Sequence, residues 1–217
     1  MKKEFSFKTI DKFDKHISQS IRGFDHLEDI FLKSLSICLP KDNPNILDIG
    51  CSTGRFLKKS KELYPNLTCT GIDIEPKMIE NKVYQGELII NDITTYNIES
   101  KYDAIISMFT IQFLPKKNQL HVLKKMFESL NVGGGLFISE KIYLDNGIDQ
   151  SIVNSLFYEY KLGNFTGDDI LNKEIDLRRI MRPSTESELI NNLKTCGFKS
   201  IIPIWRVYQF VGLICIK

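Results

Sequence analysis

Leu47-Asp48-Ile49-Gly50-Cys51-Ser52-Thr53-Gly54 is the stretch on which the fold turns. The apolar run NILDIG, from Asn45, ends at Gly50, and an amphipathic helical pattern begins within a few residues and lasts to about position 64. A buried strand that passes through small residues into a helix N-terminus brings backbone N–H groups close to a ligand. About 20 residues further on, where ribose-binding acids sit in nucleotide folds, Gly71-Ile72-Asp73-Ile74 closes a second apolar run. A strand-end carboxylate at that spacing from a glycine turn predicts a nucleotide-like ligand at the carboxyl ends of parallel strands.

The pattern continues outward in both directions. Short apolar runs, LTCTGIDI, ELIIND, YDAIISMF and GLFISEKI, alternate with helical stretches at 76–83 and 116–130. Such alternation predicts a parallel sheet covered on both faces, with right-handed crossovers. Upstream, apolar residues recur at helical spacing through Ile10, Phe13, Ile17 and Ile21, then through Leu27, Ile30, Phe31 and Leu35, with Gly23 between the two helices. Asn131-Val132-Gly133-Gly134-Gly135 predicts a turn before the fifth strand. Residues 145–182 interrupt the alternation with a polar and aromatic helical stretch. Ser184–Cys196 then reads as a helix with Gly197 as its C-cap, and IIPIWRVYQFVGLICIK as two antiparallel strands. The expected architecture is therefore α/β, a Rossmann-like doubly wound, mostly parallel sheet with an antiparallel C-terminal strand and a helical lid. It is read as one domain over 1–217, with an N-terminal cover at 1–40 and the lid at 145–182.

Composition narrows the function classes. Among 217 residues, 42% are hydrophobic and 26% charged, as in globular proteins with a real core. The 29 basic and 27 acidic residues are interspersed, with no long basic run, which argues against a nucleic-acid partner. Five cysteines without a CxxC pair and three histidines argue against a zinc site or a disulfide framework. With no apolar run long enough to span a membrane and a polar start, the chain reads as cytoplasmic.

The motif residues choose between ligands. The turn is GxxxG rather than the GxGxxG of dinucleotide folds, and Asp48 would repel a pyrophosphate while suiting an amino group. S-adenosylmethionine (SAM) fits better. The SAM contacts expected from these motifs are Asp48, Gly50, Gly54, Asp73, Asp92, Ile93 and Met108, with Asp92 against the adenine amino group, Ile93 on the ring and Met108 beside the sulfonium; Phe24, Cys51, Ser52 and Ile74 join them through a family resemblance. Glu140, at the end of the fifth strand, and His16, on the helix expected to cover the site, are candidate catalytic groups; His26 and His121 read as surface and structural. Tyr143, Tyr158, Arg178 and Arg179 are candidate acceptor contacts, with Phe157 and Tyr160 as further aromatic lining and Arg182 as a further cation. Each has a plainer alternative as lid packing or a solvated helix face.

With these residues in view, the chain resembles the carboxy-S-adenosylmethionine synthase family, a branch of the class I methyltransferases. The resemblance rests on Phe13-Asp14, Ser20-Ile21-Arg22-Gly23-Phe24, Asp48-Ile49-Gly50-Cys51-Ser52, Phe109-Thr110-Ile111-Gln112-Phe113-Leu114, Ser139-Glu140-Lys141 and the C-terminal strands. It implies SAM contacts at Gly50, Cys51, Ser52, Asp73, Ile74, Asp92 and Ile93, and a homodimer. Three positions depart: Phe24 replaces a tyrosine, Met108 an asparagine, and Glu174 stands where the family's carboxylate-binding arginine falls. That family captures the carbon dioxide of prephenate on the SAM methyl, so a carboxylate must be held near the sulfonium, and Glu174 would repel it unless Arg178, Arg179 or Arg182 substitutes. The leading expectation is a SAM-dependent methyltransferase acting on a small molecule. The alternatives are a carboxy-SAM synthase in tRNA wobble-uridine modification and a SAM-binding regulator without catalysis.

Overall fold

The computed structural model describes residues 13–217. Ile10 and the first part of the expected N-terminal cover lie outside the described residues. Two helices, α1 (Phe13–Ser20) and α2 (Phe24–Ser34), flank Gly23 and precede the first strand. The chain then alternates through β1 (Asn45–Ile49), α3 (Arg55–Leu63), β2 (Thr68–Asp73), α4 (Pro76–Glu80), β3 (Glu87–Ile90), β4 (Tyr102–Met108), α5 (Lys116–Ser129) and β5 (Leu130–Lys141). The expected lid is the helix pair α6 (Gly147–Leu162) and α7 (Gly167–Ile180), followed by α8 (Glu186–Cys196), β6 (Ser200–Val207) and β7 (Phe210–Ile216).

The strands form one sheet in the order β3-β2-β1-β4-β5-β7-β6. β1 to β5 pair in parallel and β7 runs against both of its neighbours. Strand parity distributes the core over two faces. Ile46, Ala104, Ile106 and Phe137 pack with α2, α3 and α6, while Leu47, Ile105, Leu136 and Ile138 pack with α5 and α8. The chain crosses from β1 to β2 on one side and returns to β4 on the other, so the crevice beyond the carboxyl end of β1 is the topological switch point where such sheets bind ligands.

Helix starts follow local chemistry. Thr166 and Asp169 form a reciprocal capping box at α7, Thr185 and Glu188 form another at α8, and the Asn146 side chain caps α6. Two elements differ from the sequence reading. α4 stops at Glu80 rather than reaching 83, because the Val83 amide is drawn 2.8 Å from the Thr53 carbonyl oxygen. The glycine run before the fifth strand is not a turn but the start of β5. Gly133 (φ +80°) and Gly134 exchange hydrogen bonds with Lys217, and the pairing with β4 shifts register between Tyr102 and Ala104. No described helix is long and apolar enough to cross a membrane.

Candidate active site

One cavity of about 490 Å³ opens at the carboxyl ends of β1, β2, β3 and β4 and extends under α1, α6 and α7. That is the size of a small-molecule site. Its floor is the turn after β1. The Gly50 and Cys51 amides both donate to the Ile72 carbonyl, and the Asp73 carboxylate accepts from the Ser52 amide at 2.8 Å on one oxygen and from the Glu75 amide at 2.8 Å on the other. Burial holds the Asp73 carboxyl above its ordinary range while these amides pull it down. Gly50 sits at φ +78°, and a Cβ there would run into the Thr110 side chain. The glycine is thus required first by Thr110, whose hydroxyl bonds the Ile49 carbonyl at 3.0 Å and locks the turn after β4 onto β1. Ser52 and Phe109, also at positive φ, shape the same wall.

Of the residues expected to contact SAM, Phe24, Asp48, Gly50, Cys51, Ser52, Asp73, Ile74, Asp92, Ile93 and Met108 line this cavity. Gly54 does not. It is the N-cap of α3, and a Cβ there would lie 2.7 Å from the Cβ of Tyr84, so its smallness serves packing against Tyr84 and Leu88. The cover is tied down by charge. Glu28 of α2, almost fully buried, meets Arg55 at 2.7 Å and Lys59 at 2.6 Å, both from α3, and the Thr53 hydroxyl donates to the Asp14 carboxylate of α1.

Two features test the fit of SAM. The Asp48 carboxyl is buried, lines the cavity and makes no hydrogen bond among the described residues; burial, with Asp73 and Glu28 nearby, pushes its pKa to about 8. A ligand cation placed there would restore it to a carboxylate, and the SAM α-ammonium is such a group. The Ser52 hydroxyl, buried in the same wall, has no hydrogen-bond partner among the described residues, as expected of a group awaiting a polar ligand. The residues present therefore fit SAM. Asp48 and Ser52 would hold its polar end, Asp73 the ribose and Asp92 with Ile93 the base, and SAM would supply an electrophilic methyl on a sulfonium. Asp92 is held for this, because its carboxylate accepts from the Thr94 amide at 2.8 Å, and Lys125 pins the carbonyls of Ile93 and Tyr96 at 2.8 and 2.7 Å.

The far end of the cavity departs most from the sequence reading. Glu140 is not in it. Alternation along β5 sends Phe137, Ser139 and Lys141 to the cavity side and Glu140 to the α5 and α8 side, where its buried carboxylate accepts from the Ile111 and Gln112 amides at 3.0 and 2.8 Å. Burial drives the Glu140 pKa up to about 8, and these amides draw it back. Its place is structural: with the Gln112 side chain, which accepts from the Lys141 amide at 2.6 Å, it joins the Phe109–Leu114 stretch to the Ser139–Lys141 stretch. Arg178 and Arg179 are exposed outside the cavity, and Arg182 turns back onto the carbonyls of Arg178, Arg179 and Met181 at the end of α7. Tyr143 is 48% exposed at a bridge to Thr185, and Tyr158 lies behind Phe157. None of these four candidate acceptor contacts, Tyr143, Tyr158, Arg178 and Arg179, lines the cavity. His26 and His121 are exposed on their helices.

His16 does line it. Its Nε2 lies 2.6 Å from the Lys173 amine and 3.3 Å from the Ser20 hydroxyl, and burial with Lys173 and Lys161 lowers its pKa to about 4, leaving a neutral imidazole. Around it stand three lysines that the sequence reading passed over, Lys141, Lys161 and Lys173, with Glu174 among them. Two signals pointed to them: the parity of β5, and the spacing Ile170, Lys173, Glu174, Leu177 on one face of α7.

Residues 46–134 match the family model described as a methyltransferase domain. The fold is that of the class I SAM-dependent methyltransferases, whose cofactor is SAM. The carboxy-SAM synthase of Staphylococcus epidermidis is 27% identical over 98% of this chain and 95% of the relative, and that of Nautilia profundicola 29% over 99% and 94%. Among solved structures, an amino pentose methyltransferase from Micromonospora echinaspora with SAM bound superposes with a TM-score of 0.65 at 13% identity, covering 100% of both chains. A SAM-dependent methyltransferase from Archaeoglobus fulgidus superposes at 0.66 and 14%, covering 95% of this chain and 100% of the other. At such identities these two establish the fold.

Proposed function

We propose that the protein transfers the one-carbon group of SAM to a small-molecule acceptor held beneath α1, α6 and α7. The observation that carries this reading is that the lining of the cavity runs on from the strand ends to Ile17, Phe113, Phe157, Lys161, Lys173, Leu177 and Met181. A shared cavity of about 490 Å³ favours a compact acceptor over a macromolecular one. The chain's contribution is alignment and exclusion of water: α1, α6 and α7 contribute lining residues above the strand ends, and Met108 and Phe109 line the cavity at the end of β4. No nucleophile of the protein is needed. Where the acceptor gives up a proton, the neutral His16 imidazole on the cavity wall is the candidate group to receive it.

A second reading, synthesis of carboxy-SAM, is favoured by the relatives of that name, which match this chain almost end to end at 27 and 29% identity. Against it stands Glu174 at the position of the family's arginine; in its favour, three lysines surround that carboxylate. Mass spectrometry of reactions with SAM and prephenate decides between the two. The proposal expects S-adenosylhomocysteine (SAH) and a methylated acceptor from an acceptor screen, with no carboxy-SAM from prephenate; accumulation of carboxy-SAM overturns it in favour of the synthase.

A further inference from the structure

Arg55 stands where its own helix does not favour it. It opens the first turn of α3, a turn with no acidic residue, and a cation there opposes the helix dipole. Residues that break a local rule in this way tend to answer to something beyond their own element. The guanidinium reaches three ways. Toward α2 it pairs with Asp25 and, at 2.7 Å, with the buried Glu28. Toward α1 it donates to the Ser18 hydroxyl at 3.3 Å and to the Asp14 carbonyl at 3.4 Å. Across its face lies the Phe24 ring, 5.4 Å away. Two residues earlier, the Thr53 hydroxyl donates to the Asp14 carboxylate, so the turn that floors the cavity is tied directly to α1. These partners form the cover of the cofactor end: α1 lines the cavity with Asp14, His16, Ile17 and Ser20, and α2 lines it with Phe24 and Glu28. The joint between the two helices is Gly23, held at φ +78°, the kind of position about which a cover swings.

We propose that Arg55 is a positioning residue for the cofactor: it clasps α1 and the Phe24 ring over bound SAM, so that the clasp, and not the strand-end contacts alone, sets how long the cofactor stays. This rests on the reading of the cavity as a SAM site and adds to it a residue that acts through Phe24 and α1. The planar fork engages two carboxylates of α2 and two oxygen acceptors of α1 at once, a task that the single ammonium of a lysine does not match. Opening the cover must break ion pairs in which the Arg55 side chain is only 21% exposed and that of Glu28 2%. The clasp therefore acts on release more than on capture, as most affinity differences within one site do. It also bears on the seat of the SAM ammonium, because Glu28 lies close enough to Asp48 to help raise its pKa, and Arg55 with Lys59 offsets that charge.

The test measures the release of tritiated SAH from the full chain, chased with excess unlabelled SAH, alongside SAH affinity by calorimetry and the urea midpoint of the unliganded protein. The variants are Arg55→Met, Arg55→Lys and Lys59→Met. Lys59 pairs with the same Glu28 at 2.6 Å from outside the cavity, so it controls for a loss of stability alone. Arg55→Met is expected to release SAH about tenfold faster or more, the scale of one lost charge-assisted contact, with association within about threefold of the parent. Arg55→Lys should lie between the two, because one ion pair is kept while the fork is lost. Lys59→Met should leave release within about twofold even where it lowers the urea midpoint. Unchanged release in Arg55→Met, or equal acceleration by Arg55→Met and Lys59→Met, overturns the clasp and leaves the cofactor reading standing. Should Arg55→Met fail to fold, Arg55→Lys decides alone, and release at the parent rate overturns the proposal. No SAH binding by the unaltered protein would instead sink the cofactor reading, and the clasp with it.

Discussion

The two ends of the cavity are built by different means. At the end formed by β1 to β4, position is set by backbone: amides of residues 50–52 bond Ile72 and Asp73, the Asp92 loop is pinned by Lys125, and Thr110 fastens the fourth strand to the first. At the end beneath α6 and α7, position is set by long side chains from three elements that meet around one carboxylate. The first arrangement is rigid and suits a cofactor common to a whole class. The second is soft and electrostatically expensive, and it is where two proteins of one fold can differ in what they act on.

If the cofactor end is set by backbone, its most sensitive position is Gly50. Gly50→Ala should cost roughly 2–5 kcal/mol, from the strain of a positive φ together with overpacking against Thr110, read as the shift in the urea midpoint. A neutral result would mean that the turn relaxes and the rigidity described here is wrong. Glu140 sharpens the same contrast because it belongs to neither substrate. Glu140→Ala should lower stability by roughly 2–4 kcal/mol because the buried Ile111 and Gln112 amides lose their acceptors, while the pH profile of the remaining activity keeps its shape. A displaced profile would return Glu140 to the chemistry.

Asp48 gives an effect of intermediate size and opposite sign in the two states. Its folded pKa stands near 8 against an ordinary 3.8, so the stability it confers when protonated is complete below pH 4 and is lost as pH rises through 8. Asp48→Asn should therefore gain melting temperature over the parent progressively between pH 4 and pH 8 without ligand, yet bind SAH about tenfold or more weakly. Equal SAH affinity would remove Asp48 from the cofactor site. The smallest effect is expected from Arg178→Ala, an exposed residue outside the cavity, within about 0.5 kcal/mol in stability and about twofold in KM. A KM rise of an order of magnitude would bring Arg178 into contact with the acceptor.

Legibility divides along the same line. The sheet, the helix order and the gathering of ten of the eleven expected contact residues around one cavity could be read because periodicity and turn chemistry are local signals: a run such as NILDIG followed by small residues predicts a strand end wherever it occurs. Gly54 was misplaced because its smallness answers to Tyr84, 30 residues away in the chain. The acceptor end was harder. Arg178 and Arg179 attract notice as a pair of cations, whereas Lys161 and Lys173 look like ordinary surface charges until α6 and α7 fold over the strands. Glu140 was assigned to the wrong face although the alternation of β5 was there to be counted, since Ile138 and Glu140 share one parity and Phe137 and Lys141 the other.

The most direct test of the central claim is calorimetric titration of SAH into the purified full chain, with Gly50→Ala in parallel. The account predicts one site per chain at micromolar affinity in the unaltered protein and no detectable binding in the variant. Absence of binding in the unaltered protein, or binding that the variant retains, would contradict it.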